Sequence, residues 1–297
     1  MGSHLCDFYL SKNYKVIGID NLLTGSIENI KHINSNPNFK FYKIDICYEI
    51  YLKDKIDYIL HFASPASPMD YLKYPLKTLR IGSTGTENVL KLALKKKSII
   101  LVASTSEIYG DPLEHPQSES YFGNVNPIGP RGVYDEAKRY LEAMTMAYKR
   151  KKKLNIRIVR IFNTYGPRMR VNDGRAIPNF INQALSGNNI TIYGNGSQTR
   201  SFCYIDDTII GISKLLESNY QYPVNIGNPN EHSILELTKI ICSQIPSSSK
   251  IVYEDLPEND PKVRKPNINL AKKILDWYPK VDLNKGLAKT IAYYKNL

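Results

Sequence analysis

The sequence predicts an α/β fold, in which a doubly wound parallel sheet is followed by a smaller α+β region. Short runs rich in Ile, Val and Tyr recur between stretches of helical composition, at 14–20, 39–45, 58–64, 99–105 and 156–162. Such apolar strands are typical of sheets buried on both faces, and their alternation with helices indicates parallel pairing. After about residue 165 the pattern becomes irregular and rich in turn signals. We therefore expect one domain over 1–165 and a second, mainly separate one over 166–297, with some of its segments returning to the first.

The helices between the strands are predicted at 74–97 and 134–153, which are long enough and end in basic residues. The opening segment GSHLCDFYLSKN also has the composition of a helix, and it leads directly into the run at 14–20. A Rossmann-like sheet normally begins with a strand and a glycine-rich turn before this helix. We therefore expect the first strand to be absent from this chain, with Gly2 as the last glycine of a shortened turn. The alternative is a protein that simply begins with a helix.

Charge and apolar content exclude several classes of protein. The formal net charge of +12 invites a nucleic-acid interpretation, but the basic runs at 95–97 and 149–153 lie at the ends of predicted helices, where cations complement the helix dipole. Basic and aromatic residues do not interleave as in a strand-binding groove, so we expect no nucleic-acid partner. No apolar run approaches the roughly 20 residues of a membrane helix, and we expect no membrane association.

Cysteine and histidine usage points to a reducing compartment and to the absence of a metal. The four cysteines are widely spaced without a CxxC pair, which suggests neither a zinc site nor a disulfide framework. The five histidines are similarly scattered. Because the start also lacks a charged segment followed by an apolar one, we expect a cytoplasmic protein.

A tyrosine and a lysine one helical turn apart indicate redox chemistry on a sugar. Tyr134 and Lys138 share a helix face, so the ammonium group is predicted to lie beside the phenol and to favour its ionised form. A phenol that ionises more easily can act as a base. The pattern also arises by chance on solvated helices, but the acid-bearing run STSEIYGDP, with Glu107, lies upstream.

Asp20 is the candidate ribose ligand of a dinucleotide site. It ends the apolar run at 14–20 and follows Gly2 at close to the roughly 20 residues that separate the glycines from the ribose-binding acid in the dinucleotide fingerprint. The segment DNLLTG, residues 20–25, stands where a ribose and adenine pocket is expected.

An ordered series of motifs resembles one enzyme family along nearly the whole chain. The matching segments are DNLLTG, HFASPASP, STSEIYGDP, EHPQSE, VNPIGPR, YDEAKR, RIFNTYGPRM, DGR, GNGSQTRSF, PVNIGNP, DPKVRKPNI and LDWYP. The chain resembles the extended short-chain dehydrogenases/reductases (NAD-dependent epimerases/dehydratases), and within them the UDP-glucuronic acid decarboxylase, or UDP-xylose synthase, family. A departure is Gly82, where that family usually carries asparagine.

The resemblance implies NAD as cofactor, a UDP-sugar as substrate and a role for each matching residue. NAD would be bound by Gly2, Asp20, Asn21, Leu22, Leu23, Thr24, Gly25, Asp45, Ile46, Phe62, Ser64, Ala103, Ser104, Thr105, Tyr134, Lys138, Thr164 and Arg175. The sugar nucleotide would be bound by Tyr71, Arg80, Asn88, Asn163, Arg200 and Arg264. The catalytic residues would be Tyr134, Lys138, Thr105, Ser106, Glu107 and Arg264. The resemblance also implies a homodimer that pairs through the helices at 74–97 and 134–153.

The implied reaction is a redox-neutral decarboxylation. Tyr134 would take the proton of the sugar 4-hydroxyl while NAD accepts hydride from C4, and the resulting ketone would accept the electrons released as carbon dioxide leaves. Protonation at C5 and return of the hydride would give UDP-xylose. Lys138 would hold the nicotinamide ribose, Thr105 would hydrogen-bond the 4-oxygen, Glu107 would orient the sugar or relay a proton, and Arg264 would position the carboxylate.

Three alternatives stay open at this point. A nucleotide-sugar 4,6-dehydratase needs an acid for the leaving hydroxide and uses Asp-Glu where this chain has Ser106 and Glu107, and a serine is a poor acid at neutral pH. A 4-epimerase needs no carboxylate at that place, so Glu107 and the VRKP run argue against it. A catalytically silent scaffold protein would explain the shortened glycine-rich turn, since that turn supplies N–H donors to a pyrophosphate.

Overall fold

The computed structural model describes residues 1–256 and 263–297. Its strands are β1 Val16–Asp20, β2 Phe39–Lys43, β3 Tyr58–His61, β4 Ile99–Thr105, β5 Ile156–Ile161, β6 Thr164–Tyr165, β7 Ile190–Tyr193, β8 Thr199–Ser201, β9 Cys203–Tyr204, β10 Pro223–Ile226, β11 Glu231–Ser233, β12 Ile251–Glu254 and β13 Val263–Arg264. Its α-helices are α1 Gly2–Ser11, α2 Pro68–Lys73, α3 Pro75–Arg80, α4 Thr86–Lys96, α5 Gly132–Lys152, α6 Ala176–Leu185, α7 Ile205–Glu217, α8 Ile234–Gln244, α9 Asn269–Leu275 and α10 Leu283–Lys295.

A parallel sheet with strand order β10-β5-β4-β3 forms the centre of the fold. β4 is buried along nearly its whole length, as expected for an apolar strand with helices on both faces. The predicted α/β fold is thereby confirmed, and all five predicted strands form. Because the strands are parallel, β4 and β5 end at the same edge, and residues that follow them are brought together there.

The parallel arrangement is divided into two sheets. β1 and β2 pair with each other in parallel, and within the described residues neither is hydrogen-bonded to the sheet that ends at β3. Within the described residues no strand lies between β1 and β3 to join the two sheets, which agrees with the expectation that the first strand of the fold is absent. Instead α1 packs beside β1, and its Leu5 and Tyr9 enter the main core.

The two predicted helices form with small changes of boundary. The stretch predicted at 74–97 becomes α3, a π-helical turn at Ile81–Gly85, and α4. The stretch predicted at 134–153 becomes α5, whose last turn carries the basic run and ends at Lys153 in the left-handed conformation. Gly82 in the π-helical turn faces Ala137 of α5, and an added Cβ would lie 2.7 Å from that of Ala137. The departure at Gly82 is thus explained by close helix packing.

The C-terminal half is not independent of the sheet. β10 pairs in parallel with β5, and α7 packs against β4, β5 and β10. One hydrophobic core joins β4 residues such as Leu101 to Phe180 of α6 and Leu237 of α8. Each such fully buried side chain contributes on the order of 1.5–3 kcal/mol to folding. In the part of the chain that is described, no helix is long and apolar enough to cross a membrane.

Candidate active site

A cavity of about 570 Å³ opens at the carboxyl edge of the central sheet. β4 supplies Ala103, Ser104 and Thr105 to its wall, and α5 supplies Tyr134 and Lys138. Other predicted site residues on the wall are Gly2, Phe62, Ser64, Tyr71, Ser106, Glu107, Asn163, Thr164, Arg175, Arg200 and Arg264. Ligands of open α/β sheets bind at this edge, so the fold brings most of the predicted site residues to the expected place.

The predicted tyrosine and lysine lie side by side in the interior. Both are buried, and the Lys138 ammonium nitrogen lies 5.8 Å from the centre of the Tyr134 ring. That nitrogen donates to the backbone oxygen of Ala103 at 2.9 Å. The Tyr134 ring stacks on Tyr71, with 5.0 Å between ring centres. The phenol is thus held rigidly at the end of β4.

The acid–base properties of this pair differ from the sequence-based expectation. Burial raises the pKa of Tyr134 and the negative charge of Glu107 adds to it, whereas a hydrogen bond with Thr105 and the charge of Arg175 lower it. Burial also lowers the pKa of Lys138 to about 8. The expected lowering of the Tyr134 pKa by Lys138 does not hold in this arrangement, because desolvation of the phenol dominates.

The carboxylate of Glu107 forms ion pairs with two arginines at one end of the cavity. A short 3₁₀ helix, Ser106–Tyr109, starts where β4 ends, and the Thr105 hydroxyl caps it by accepting the Glu107 N–H at 3.2 Å. One carboxylate oxygen of Glu107 accepts from Arg131 and the other from Arg264. Although burial acts in the opposite direction, the positive charges of Arg264 and Arg131 hold the pKa of Glu107 at about 2. Glu107 is therefore an anion at any physiological pH.

A second carboxyl group, that of Asp135, lies buried near the same cluster. One of its oxygens is buried without a hydrogen-bond partner among the described residues. Burial, reinforced by the charge of Glu107, raises the pKa of Asp135 to about 7, and the charges of Arg131 and Arg264 oppose that rise. Near neutral pH, Asp135 is therefore present in both protonation states.

We predict that Asp135→Asn stabilises the protein at alkaline pH. The folded-state pKa lies above the unfolded value near 3.9, so the folded chain retains a proton that the unfolded chain releases, and stability is lost as pH rises from about 4 to 7. One pKa unit corresponds to about 1.4 kcal/mol, so we expect a gain of a few kcal/mol at pH 8 that vanishes near pH 4. Urea unfolding of the original protein and of the variant across this pH range measures the gain in stability. The exposed control Asp57→Asn should not show this trend, and a gain independent of pH for Asp135→Asn would contradict the assignment.

The predicted adenosine end of the cofactor site lies at the carboxyl end of β1. The Asp20 carboxylate accepts the Leu22 N–H at 2.7 Å, and the Asn21 side-chain amide donates to Asp45 at 3.1 Å. A Cβ on Gly25 would lie 3.1 Å from an Asp20 oxygen, so a glycine keeps the carboxylate accessible. An exposed carboxylate here suits the two hydroxyls of an adenosine ribose, and it would repel a 2′-phosphate. These residues fit NAD.

Two predicted substrate ligands lie elsewhere. The Asn88 amide donates to the backbone oxygens of Ile46 and Tyr48, at 2.9 and 3.1 Å, and the Arg80 guanidinium lies over the Tyr48 ring at 5.7 Å. Neither residue lines the cavity, because the helical stretch α3–α4 directs them toward the segment around Ile46, which is predicted to bind NAD. The structure thus separates them from Tyr71, Asn163, Arg200 and Arg264.

The remaining predicted ligands lie on the wall that the second half of the chain contributes. Thr164 shares a hydrogen bond with Thr208 at 3.0 Å, and Arg175 pairs with both oxygens of the buried Asp173. Arg264 lies on β13, in the DPKVRKPNI segment, whose first three residues lie outside the described part of the chain. In the described ranges, no group of His, Cys, Asp and Glu side chains could hold a metal ion.

Sequence reasoning missed Arg131 and Asp135. Arg131 ends the motif VNPIGPR and caps the start of α5, and Asp135, in the motif YDEAKR, follows it by four residues in the first turn of that helix. That spacing is a usable signal, but it does not reveal that both side chains approach Glu107. Only the crossing of α5 over the end of β4 brings them there.

Comparisons with known proteins agree with this geometry. Residues 1–227 match the NAD dependent epimerase/dehydratase family. UDP-glucuronic acid decarboxylase 1 of Xenopus tropicalis is 46% identical over 295 residues, which are 99% of this chain and 70% of that protein. The structure of UDP-glucose 4-epimerase from Thermotoga maritima with UDP-glucose is similar with a TM-score of 0.91 and 26% identity, covering 99% of this chain and 95% of that one. The UDP-glucuronic acid 4-epimerase of Bacillus cereus, in complex with UDP-glucuronic acid and NAD, has a TM-score of 0.87 and 28% identity, with 99% and 96% coverage.

The site combines a parallel sheet, an exposed carboxylate at the end of β1 and a buried tyrosine–lysine pair. These features are typical of dinucleotide-dependent enzymes that oxidise and reduce an alcohol. The chain belongs to the NAD dependent epimerase/dehydratase family, whose cofactor is NAD. Within that family, its curated relatives from vertebrates and plants are named UDP-glucuronic acid decarboxylases. The resemblance inferred from the motifs is thereby confirmed.

Proposed function

We propose that this protein decarboxylates UDP-glucuronate to UDP-xylose with NAD as a recycled cofactor. Bound NAD supplies the chemistry of the step by taking hydride from C4 of the sugar and later returning it. The proposal is supported by the decarboxylase relatives and by a site that pairs a buried tyrosine with a cationic recess for a carboxylate.

The arginines at the Glu107 end of the cavity carry this proposal. Arg264 is 3% exposed, lines the cavity, and has a buried Nε without a hydrogen-bond partner among the described residues. Arg131 and Arg200 also act on Glu107. Arg264 lines the cavity beside Glu107, and a guanidinium fork at this place suits the carboxylate of a uronate.

We assign the proton transfers to residues at the end of β4. Tyr134 accepts the proton of the 4-hydroxyl as C4 is oxidised, and Thr105 donates a hydrogen bond to the same oxygen. Lys138 keeps a positive charge beside them below about pH 8. Arg264 holds the carboxylate, and the ketone at C4 accepts the electron pair as carbon dioxide leaves. Ser106 is buried beside Glu107, where a dehydratase would need an acid.

The test is to incubate the purified chain with UDP-glucuronate and NAD and to follow carbon dioxide and the sugar nucleotide by mass spectrometry. UDP-xylose and carbon dioxide in equal amounts are the expected products. UDP-galacturonate without carbon dioxide would replace the proposal by 4-epimerisation. A chain that binds neither NAD nor UDP-glucuronate in calorimetry would favour a silent scaffold protein.

We further propose that the protein is a homodimer that pairs through the helices predicted at 74–97 and 134–153, with α2 beside them. The supporting observation is a set of exposed apolar side chains on these helices: Met69, Leu72, Leu76, Leu79 and Tyr140. Apolar groups clustered on neighbouring helices are typical of an interface, and a second copy with the same helices is self-complementary under twofold symmetry.

We predict that Leu76→Glu converts the dimer to a monomer. Leu76 is 80% exposed in α3, and a carboxylate in the middle of an apolar interface would have to be desolvated without a partner. Light scattering at micromolar concentration should give twice the chain mass for the original protein and the chain mass for the variant. Leu113→Glu, an exposed loop leucine outside these helices, is the matched control and should remain dimeric. A monomer mass for the original chain would refute the proposal.

We also propose a cytoplasmic location and a division near residue 165 into a cofactor-binding part and a mainly substrate-binding part. Free cysteines at four separate places support a reducing compartment. Cell fractionation would test the first statement. Hydrogen exchange with each ligand would test the division into two parts. NAD should protect mainly residues 1–165 from exchange, and the sugar nucleotide should protect mainly the remainder.

A further inference from the structure

A buried network of hydrogen bonds lies behind the Glu107–Arg264 pair. Tyr109 and Asn225 are fully buried, and the Tyr109 hydroxyl donates to the Asn225 side-chain oxygen at 2.8 Å. The Asn225 amide donates to the backbone oxygens of Gln117 and Asn267, at 3.1 and 3.2 Å. Both hydrogens of the Asn225 side-chain amide are therefore used.

Gln117 connects this network to the strand that carries Arg264. Its side-chain oxygen accepts the Lys265 N–H at 2.9 Å, and its own N–H donates to the Lys265 oxygen at 2.9 Å. Its backbone oxygen accepts the Asn267 N–H at 2.8 Å. The residues on the C-terminal side of Arg264 are therefore held by one fully buried glutamine.

The contacts close into a ring. At the front of the ring, beside the cavity, Arg264 donates to the Glu107 carboxylate and to the Gly110 oxygen, the latter at 3.1 Å. At the back of the ring, away from the cavity, Tyr109 donates to Asn225 and Asn225 donates to Gln117. Gln117 in turn accepts from Lys265, the residue after Arg264. Since Tyr109 and Glu107 belong to the same 3₁₀ helix, the back of the ring sets how far this helix lies from β13.

Arg160 of β5 anchors the ring to the central sheet. Its guanidinium donates to the Tyr109 hydroxyl at 2.9 Å and to both carboxylate oxygens of Glu142 at 2.9 Å. A paired guanidinium held by two groups has little freedom to rotate. The Tyr109 hydroxyl is thus fixed relative to β5, and a displacement there would be passed to Asn225.

We propose that Tyr109, Asn225 and Gln117 are positioning residues that hold Arg264 in register with Glu107, and so set the preference of the site for a substrate bearing a carboxylate. The inference rests on the proposed function, because the carboxylate is that of the uronic acid. β13 has two residues and pairs with β8, and the ring holds the residues that follow it. Burial of every member makes the network intolerant of a lost partner.

The test compares binding of UDP-glucuronate and UDP-glucose by calorimetry for the full chain and for Tyr109→Phe, which removes one hydroxyl without a change of shape. We expect UDP-glucuronate to bind on the order of tenfold more weakly to the variant and UDP-glucose to bind within about twofold of the original. Asn225→Leu should do the same. Thr290→Val removes a buried hydroxyl of α10 outside the ring and is the matched control, with no change in preference.

Amide hydrogen exchange at Lys265 and Asn267 provides a readout that needs no substrate. Both N–H groups donate to Gln117, so faster exchange in Tyr109→Phe and Asn225→Leu, but not in Thr290→Val, is expected. Unchanged exchange, or equal weakening of both ligands, would overturn the network. If the original chain binds the two sugars equally, the proposed function fails, and exchange at these two amides alone then decides whether the ring positions β13.

Discussion

Tyr134→Phe should abolish nearly all turnover of UDP-glucuronate while leaving the fold and ligand binding intact. The phenol is the one group at the end of β4 that the proposed reaction uses as a base, and loss of a general base costs about 10²- to 10⁴-fold in kcat. The ring remains stacked on Tyr71, so we expect UDP-glucuronate to bind within about threefold of the original. Carbon dioxide release in steady state gives kcat, and calorimetry gives the dissociation constant.

The same substitution should remove a characteristic pH dependence. Because burial raises the pKa of Tyr134, the phenol is largely protonated near neutral pH, and its active anionic form increases as pH rises. Lys138, with a pKa of about 8, loses its proton over the same range, so further gain in phenolate is offset by loss of the ammonium. We expect kcat to rise with pH and to level off above about pH 8.

The control for this prediction is Tyr9→Phe, which changes a buried tyrosine of α1 outside the cavity. It should retain both kcat and the pH profile. If Tyr134→Phe kept more than about a tenth of the activity, another group would have to be the base, and the assignment of Tyr134 would fall.

Arg264→Met should give the second largest effect, on selectivity rather than on the redox step. Its guanidinium pairs with Glu107 and is nearly inaccessible, so removal leaves the carboxylate of Glu107 buried with one arginine fewer. Truncation of one partner of a buried charge pair across a binding interface costs about 2–5 kcal/mol, so loss of the contact between Arg264 and the uronate carboxylate should weaken binding roughly 30- to several-thousand-fold. We expect kcat/KM for UDP-glucuronate to fall by that factor and binding of UDP-glucose to change little.

Two further variants separate charge from geometry. Arg264→Lys restores a positive charge without the planar fork of donors, and should recover only a small part of the loss. Lys265→Met removes the neighbouring cation, which pairs with Glu231 away from Glu107, and should leave kcat/KM within about twofold. Equal losses for both ligands in Arg264→Met would mean that Arg264 supports the fold rather than the carboxylate.

The elements of the sheet could be predicted because each strand carries a local signal. β4 begins with Ile, Ile, Leu and Val, and β5 has Ile and Val around two arginines; apolar content of this kind, flanked by helix and turn residues, is typical of buried strands. Motif resemblance then determined the family, since twelve segments occur in the same order as in the decarboxylases. The pairing of β1 with β2 apart from β3 was not predicted, because pairing depends on which strand lies between them.

The sequence by itself therefore determined the fold class, the family and the identity of the tyrosine–lysine pair, all of which depend on residues near one another in the chain. The tertiary structure decided the properties that depend on contacts between residues far apart in the sequence. It placed Arg80 and Asn88 beside Tyr48, directed Lys138 to Ala103, and raised the pKa of Tyr134. It also brought Glu107 and Arg264 together from opposite halves of the chain. Burial and the charges of distant residues set these properties, and both arise only when the chain is folded.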